Sequence, residues 1–187
     1  MEHLEIAAAS SLALFSIFAA VDGIYLHLWK YRLHARPETV FEHKLHTLRA
    51  FLFIPTLYLL FVNNSAGIAL WLGLAFVLIG FVVEFWDVLS ENESRKELGG
   101  LSSIEYATHV VITIFQVLAL AFLFASKPLA AWSLDAGVLL PTSYTPFLKM
   151  TGINTLIGTI GMAGLHVWLL RPKYRQGNRL IVVQTCC

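Results

Sequence analysis

Cysteine is almost missing from this chain: the only two, Cys186 and Cys187, are adjacent at its very end. That excludes a disulfide framework and a cysteine-ligated metal site, so any metal would have to be held by imidazoles and carboxylates. The terminal pair reads first as an inert tail on a reducing side and second as a prenylation signal. Charge is scarce as well. Asp, Glu, Lys and Arg make up 13% of the residues against 57% apolar ones, where an ordinary soluble domain carries roughly twice that charge. With a net charge of +1 and no basic stretch interleaved with aromatics, the chain offers nothing to a nucleic acid. No basic segment precedes the first apolar run, which is too long for a signal-peptide core and leads directly into an Asp, a His and aromatics, so it reads as helix one rather than as a signal peptide.

What is there is hydrocarbon. Mean hydropathy is +0.69, and five apolar runs, at about 5–29, 46–63, 67–86, 107–126 and 150–170, each approach the roughly 20 residues needed to cross a bilayer core. The expected fold class is therefore an all-α integral membrane protein, with residues 1–187 forming one multi-pass domain of five transmembrane helices in a bundle. Eleven of the thirteen Lys and Arg fall in segments 30–49, 95–96 and 171–179, and only Lys127 and Lys149 lie on the other side. This asymmetry predicts an outside N-terminus and a cytoplasmic C-terminus. Residues 63–67 read as an outer turn and 90–100 as a polar inner loop. Residues 127–146, with three prolines, read as a long outer connection or lid whose Trp132 and Tyr144 suit an interfacial belt.

One echo runs through the chain. "TVFEHKLH" (39–46) has the form Thr-x-x-Glu-x-x-x-His, and "SSIEYATH" (102–109) the form Ser-x-x-Glu-x-x-x-His. An offset of 62 or 63 maps Asp22 to Glu84, Glu42 to Glu105 and His46 to His109, so helices one and two and helices three and four read as a duplicated hairpin, with helix five added. Both glutamates also fit a capping box, with Thr39 and Ser102 as the N-caps. The histidines do not: one turn further in, on the same helix face, they fall where the apolar run has begun.

Alternating helix directions bring the ends of the odd helices to the depth of the starts of the even ones. Asp22, His27, Glu42, His46, Glu84, Glu105, His109 and His166 then converge as candidate metal ligands, with the first helix offering Asp22 or His27 and His166 completing or flanking the site. Each ionisable group inside a membrane costs roughly 2.5–3.5 kcal/mol on insertion scales, so such a cluster needs mutual pairing or a metal. Asp22 is equally suited to pair with Arg49. Asp87 is placed to accept a hydrogen bond from a ligating histidine. His34 and His43 read as solvated interfacial residues, and Tyr25, Trp86 and Tyr106 as packing residues beside the site.

Acids on four helices, two of them adding a histidine one turn on, resemble in outline the ferritin-like di-iron carboxylate bundles, though the spacing here is Glu-x-x-x-His rather than Glu-x-x-His. The His-x-x-x-His and His-x-x-His-His boxes of membrane fatty acid desaturases and hydroxylases are absent. The expected function is that of a di-iron oxidoreductase. Its substrate would be lipophilic, such as an acyl chain, an isoprenoid or a quinol, taken from the membrane lipid at the cytoplasmic leaflet, and an electron-donor protein would be a partner. Three alternatives stay open: a zinc hydrolase using the same ligands, a b-type haem electron carrier with bis-His pairs, and a proton or cation transporter whose fifth helix packs through the glycines of "GINTLIGTIGMAG".

Overall fold

A computed structural model describes residues 1–96 and 99–175; Cys186 and Cys187, with the prenylation reading, lie outside them. Helix α1 (Glu2–Ala20) continues without interruption as a π-helix, Val21–Lys30. Helix α2 (Val40–Leu57) is preceded by a 3₁₀ turn, Pro37–Thr39, and ends in a second π-helix, Tyr58–Val62. Helices α3 (Gly67–Ser94), α4 (Ser103–Ala125) and α5 (Pro146–Leu169) follow. Each of the five is long and apolar enough to cross a membrane. Their outward faces carry Val82, Phe85, Leu89, Ile114, Ile157 and other exposed apolar side chains, while most of the acids and histidines are turned inward, the inverse of a water-soluble bundle.

Helix α1 packs on α4, α2 on α3, and α5 lies against both α1 and α2. Half of the bundle has a dry core, built from Leu12 and Phe15 of α1, Leu57, Leu60 and Phe61 at the end of α2, Leu70, Leu120, Leu123 and Leu148. Gly152 lets α5 lie directly on the π-helix that ends α2. A Cβ there would stand 2.7 Å from the Phe61 carbonyl oxygen, so any side chain would force the two backbones apart.

The long connection between α4 and α5 is fastened down over this half. Leu140 N–H donates to the Asn64 carbonyl (2.8 Å), Ala66 N–H to the Val138 carbonyl (3.0 Å), and Ser65 and Leu139 form a single antiparallel bridge. Tyr144, expected in an interfacial belt, is instead buried, its hydroxyl donating to the Leu60 carbonyl at 2.7 Å. A free phenol at the interface would leave that carbonyl, at the end of a helix, without a donor.

Lys127 is the buried cation of this cap, its Nζ donating to Asn64 Oδ1 (2.6 Å) and the Ser65 carbonyl (2.9 Å) over the ring of Tyr144. Burial lowers its pKa from 10.5 to about 8. Between those values the unfolded chain binds the extra proton, so stability should rise with pH across this window, by at most about 1.4 kcal/mol per pH unit. Thermal melts of the detergent-solubilised protein from pH 7.5 to 10 are expected to show this rise. The Lys127→Met variant, which keeps the apolar stem, should lack it.

Candidate metal centre

At the opposite end of the bundle, helix α3 does not stop where its sequence turns polar. Residues 90–94, expected in a loop, form its last turn. The reason is a stripe: Glu84, Asp87, Glu91 and Ser94 recur at helical spacing on one face and all find partners inside the bundle, so their polarity is satisfied by tertiary contacts rather than by water. The extra turn delivers Arg95 to the centre, where its side chain has 0% exposure.

Arg95 binds both glutamates of the sequence echo. Its Nη2 donates to Glu42 Oε1 at 2.7 Å and to Glu105 Oε1 at 2.6 Å, while Nε donates to both oxygens of Glu42 at 3.1–3.2 Å. The hydroxyl of Ser94 donates to Glu42 Oε2 at 2.5 Å. One capping expectation is corrected accordingly. Thr39 gives its hydroxyl to the carbonyls of Leu33 and Arg36 and caps nothing, and Glu42 turns inward to the guanidinium. Ser102 does cap α4, accepting from Glu105 N–H at 3.3 Å, but the Glu105 carboxylate does not reach back to close a capping box.

Asp22 and His27, the two residues the first helix offers, both reach the cluster. On an α-helix, residues five apart point roughly 140° from one another. With π winding each turn takes in more residues and that angle falls to roughly 50°. Asp22 and His27 therefore share the inner face of Val21–Lys30, with His27 Nε2 at 3.6 Å from Asp22 Oδ1. His109 Nε2 lies 3.2 Å from the same oxygen, and its Nδ1 faces Glu91 Oε1 at 3.2 Å. His46 Nε2 lies 3.4 Å from Asp87 Oδ2 and 3.9 Å from Glu42 Oε1. The expected Asp22–Arg49 pair does not form. Arg49 binds Glu84 (3.1 Å) and Asp87 (3.3 Å), because both belong to the stripe on α3, the helix on which α2 packs.

Six of the eight sequence candidates thus meet: Asp22, His27, Glu42, His46, Glu105 and His109. Glu84 stands aside, held by Arg49 and by Thr113, whose hydroxyl donates to it at 2.8 Å. His166 is stacked on His43 (ring centroids 4.8 Å apart), and its backbone carbonyl lies 3.2 Å from His43 Nε2. His43 is therefore buried rather than solvated, whereas Tyr25, Trp86 and Tyr106 are turned outward. Sequence reasoning missed Glu91, Ser94 and Arg95. The 3–4 spacing running on from Glu84 was the signal that would have found them.

Two triads of potential ligand atoms result, Asp22–His27–His109 and His27–Glu42–His46, each with its atoms within 4.8 Å of one another. His27 belongs to both. Two donors bound at about 2.0–2.1 Å to one tetrahedral ion stand roughly 3.4 Å apart; His27 and His109 stand at 3.6 and 3.2 Å from Asp22 Oδ1, whereas His46 and Glu42 stand at 3.9 Å and would have to close in on an ion. Asp22 Oδ1, both ring nitrogens of His27, His46 Nε2, His109 Nε2 and Glu105 Oε2 are buried yet have no hydrogen-bond partner among the described residues. These atoms are close without being aligned as donors and acceptors for one another, an arrangement that fits a shared cation better than a set of hydrogen bonds.

Above the triads lies a cavity of about 840 Å³ between the helices, whose wall includes Asp22, His46, Glu91, His109 and His166 at one end and mainly apolar residues elsewhere. Fold and site together define an all-helical bundle with five helices able to cross a membrane and a buried acid–histidine cluster at one end. No family model, curated protein or solved structure matches the chain.

Proposed function

We propose that this chain is a membrane-embedded metalloenzyme, an oxidoreductase whose centre holds a divalent metal pair, di-iron in our reading, among the donors of the two triads about His27. The observation that carries the reading is His27 itself, fully buried, shared by both triads, and with neither nitrogen hydrogen-bonded among the described residues although Nε2 lies 3.4 Å from Glu105 Oε1 and 3.6 Å from Asp22 Oδ1. Charge supports two ions. Among the described residues, Asp22, Glu42, Glu84, Asp87, Glu91 and Glu105 have Arg49 and Arg95 as the only permanent cations in their ion pairs, leaving a formal deficit of four positive charges in a region where unpaired charge is costly.

When bound, iron would supply oxygen activation and electron transfer, for which an electron-donor protein is needed. The chain's own groups do the rest. Glu91 faces His109 Nδ1 and orients its Nε2, as an outer carboxylate does for a ligating imidazole. Arg95 holds Glu42 and Glu105 in place, and the mainly apolar wall of the cavity suits a lipophilic substrate. Zinc would find the same donors, so metal analysis decides between oxidoreductase and hydrolase. Haem is a poorer fit. The rings of His27 and His46, with centroids 4.3 Å apart, leave too little room for a macrocycle between them.

The exchange of packing partners, α1 on α4 and α2 on α3, is what a duplicated hairpin related by a pseudo-twofold axis would give, and it supports that origin. With the N-terminus outside, reporter fusions at 36 and 96 should report cytoplasm and those at 65 and 136 the opposite side; a reversed pattern at 96 would overturn this orientation. Purified protein is expected to carry about two irons per chain and no Soret band. Absence of bound transition metal after purification and reconstitution would remove the reading.

A further inference from the structure

The cavity carries a second set of groups that metal binding does not use. Gln116 of α4, half-buried, and Asn154 of α5, exposed, both line it, and among the described residues neither side-chain amide has a hydrogen-bond partner. Counting 1.5 Å per residue, Gln116 lies about 10 Å along α4 from His109, and Asn154 about 18 Å along α5 from His166, well inside both apolar spans. Beside them, Ser16 and Thr155 join α1 to α5 through a hydroxyl–hydroxyl contact of 2.9 Å, and Ser16 also donates to the Leu12 carbonyl. Free amides in a mostly apolar wall are costly unless something pairs with them.

Charge then narrows what that something is. The cavity wall presents the carboxylates Asp22, Glu84 and Glu91, and its cation, Arg49, is already bound to Glu84 and Asp87. A carboxylate or phosphate headgroup would find no unpaired cation among the described residues of the wall and would meet an acidic end. A neutral group can use both faces of a primary amide, the carbonyl as acceptor and the NH₂ as donor. The volume, about 840 Å³, lies in the roughly 300–1,000 Å³ range of small-molecule sites.

Building on the proposed function, we propose that the substrate is an uncharged long-chain amphiphile, an alcohol, aldehyde or ketone. Its single polar group hydrogen-bonds to one of the side-chain amides in the wall, Gln116 or Asn154, and its chain fills the apolar part of the cavity. The inference names the substrate class for the same site, but its test reads binding rather than turnover.

The full chain in nanodiscs should be titrated with 1-hexadecanol, hexadecanoate and hexadecane at pH 8, with occupancy followed by native mass spectrometry and metal content measured on the same samples. The alcohol is expected to bind about tenfold or more tighter than either of the others, the effect of one to two hydrogen bonds. In the Gln116→Leu/Asn154→Leu variant the alcohol's advantage over the alkane should vanish while metal content stays unchanged. Tighter binding of the carboxylate, or an alcohol preference that survives in the double variant, would overturn the proposal. The wild-type ranking alone suffices if that variant does not fold. A sample that shows the alcohol preference but holds no metal would support this inference and overturn the metal reading.

Discussion

Replacing Arg95 by leucine is expected to leave little folded protein. The guanidinium has no exposure and binds Glu42 and Glu105 at 2.6–3.2 Å, so its loss strands two fully buried carboxylates. Breaking a buried ion pair by removing one partner costs about 3–5 kcal/mol, a large part of a typical stability of about 5–15 kcal/mol. Lysine should not rescue it, because a single ammonium cannot reproduce contacts made from both Nε and Nη2. Replacing the whole network, as in Arg95→Met with Glu42→Gln and Glu105→Gln, should recover most of the folded fraction, since uncharged groups of similar shape remove the stranded charges. Size-exclusion recovery and thermal melts in mild detergent, with and without chelator, measure this. An Arg95→Leu protein as stable as wild type would show that the three-residue ion network does not hold the helix ends together.

His27→Ala is expected to empty the centre. Because His27 belongs to both triads, its removal should take metal content from about two ions per chain to near zero. His46→Ala should lose the ion of the Glu42 triad and His109→Ala the ion of the Asp22 triad, each leaving about one. His3→Ala, at an exposed position in the first turn of α1, should retain both. Elemental analysis of the four purified variants distinguishes the arrangements. If His46→Ala and His109→Ala each lose all metal, the centre holds a single ion shared by three imidazoles. If His27→Ala keeps full occupancy, the triads are not the binding site.

The five helices and the depth at which their acids and histidines meet were legible in the sequence for one physical reason. A membrane-length helix must be apolar over about 20 residues, so each departure from that composition marks its own height along the bundle. His46 and His109 could be picked out because they interrupt an apolar run one turn beyond a glutamate, where capping does not account for them. Height along an axis is a local property, and the chain states it directly.

Which groups face one another at that height is not local. The α-helical period of 3.6 residues separates Asp22 from His27, and only the π winding of Val21–Lys30 puts both on the inner face. Composition marks the stretch after Leu89 as a loop, yet α3 runs to Ser94 because Glu91 and Ser94 meet His109 and Glu42 across the bundle. Arg95 reads as one more cytoplasmic charge until packing buries it between two glutamates that seemed assigned to capping or metal, and Arg49 chooses Glu84 and Asp87 because α2 packs on α3. The sequence by itself thus determined which residues share a depth, since hydrophobicity sets height in the bundle. Only the tertiary structure decided their partners, since pairing depends on helix winding and on which helices touch.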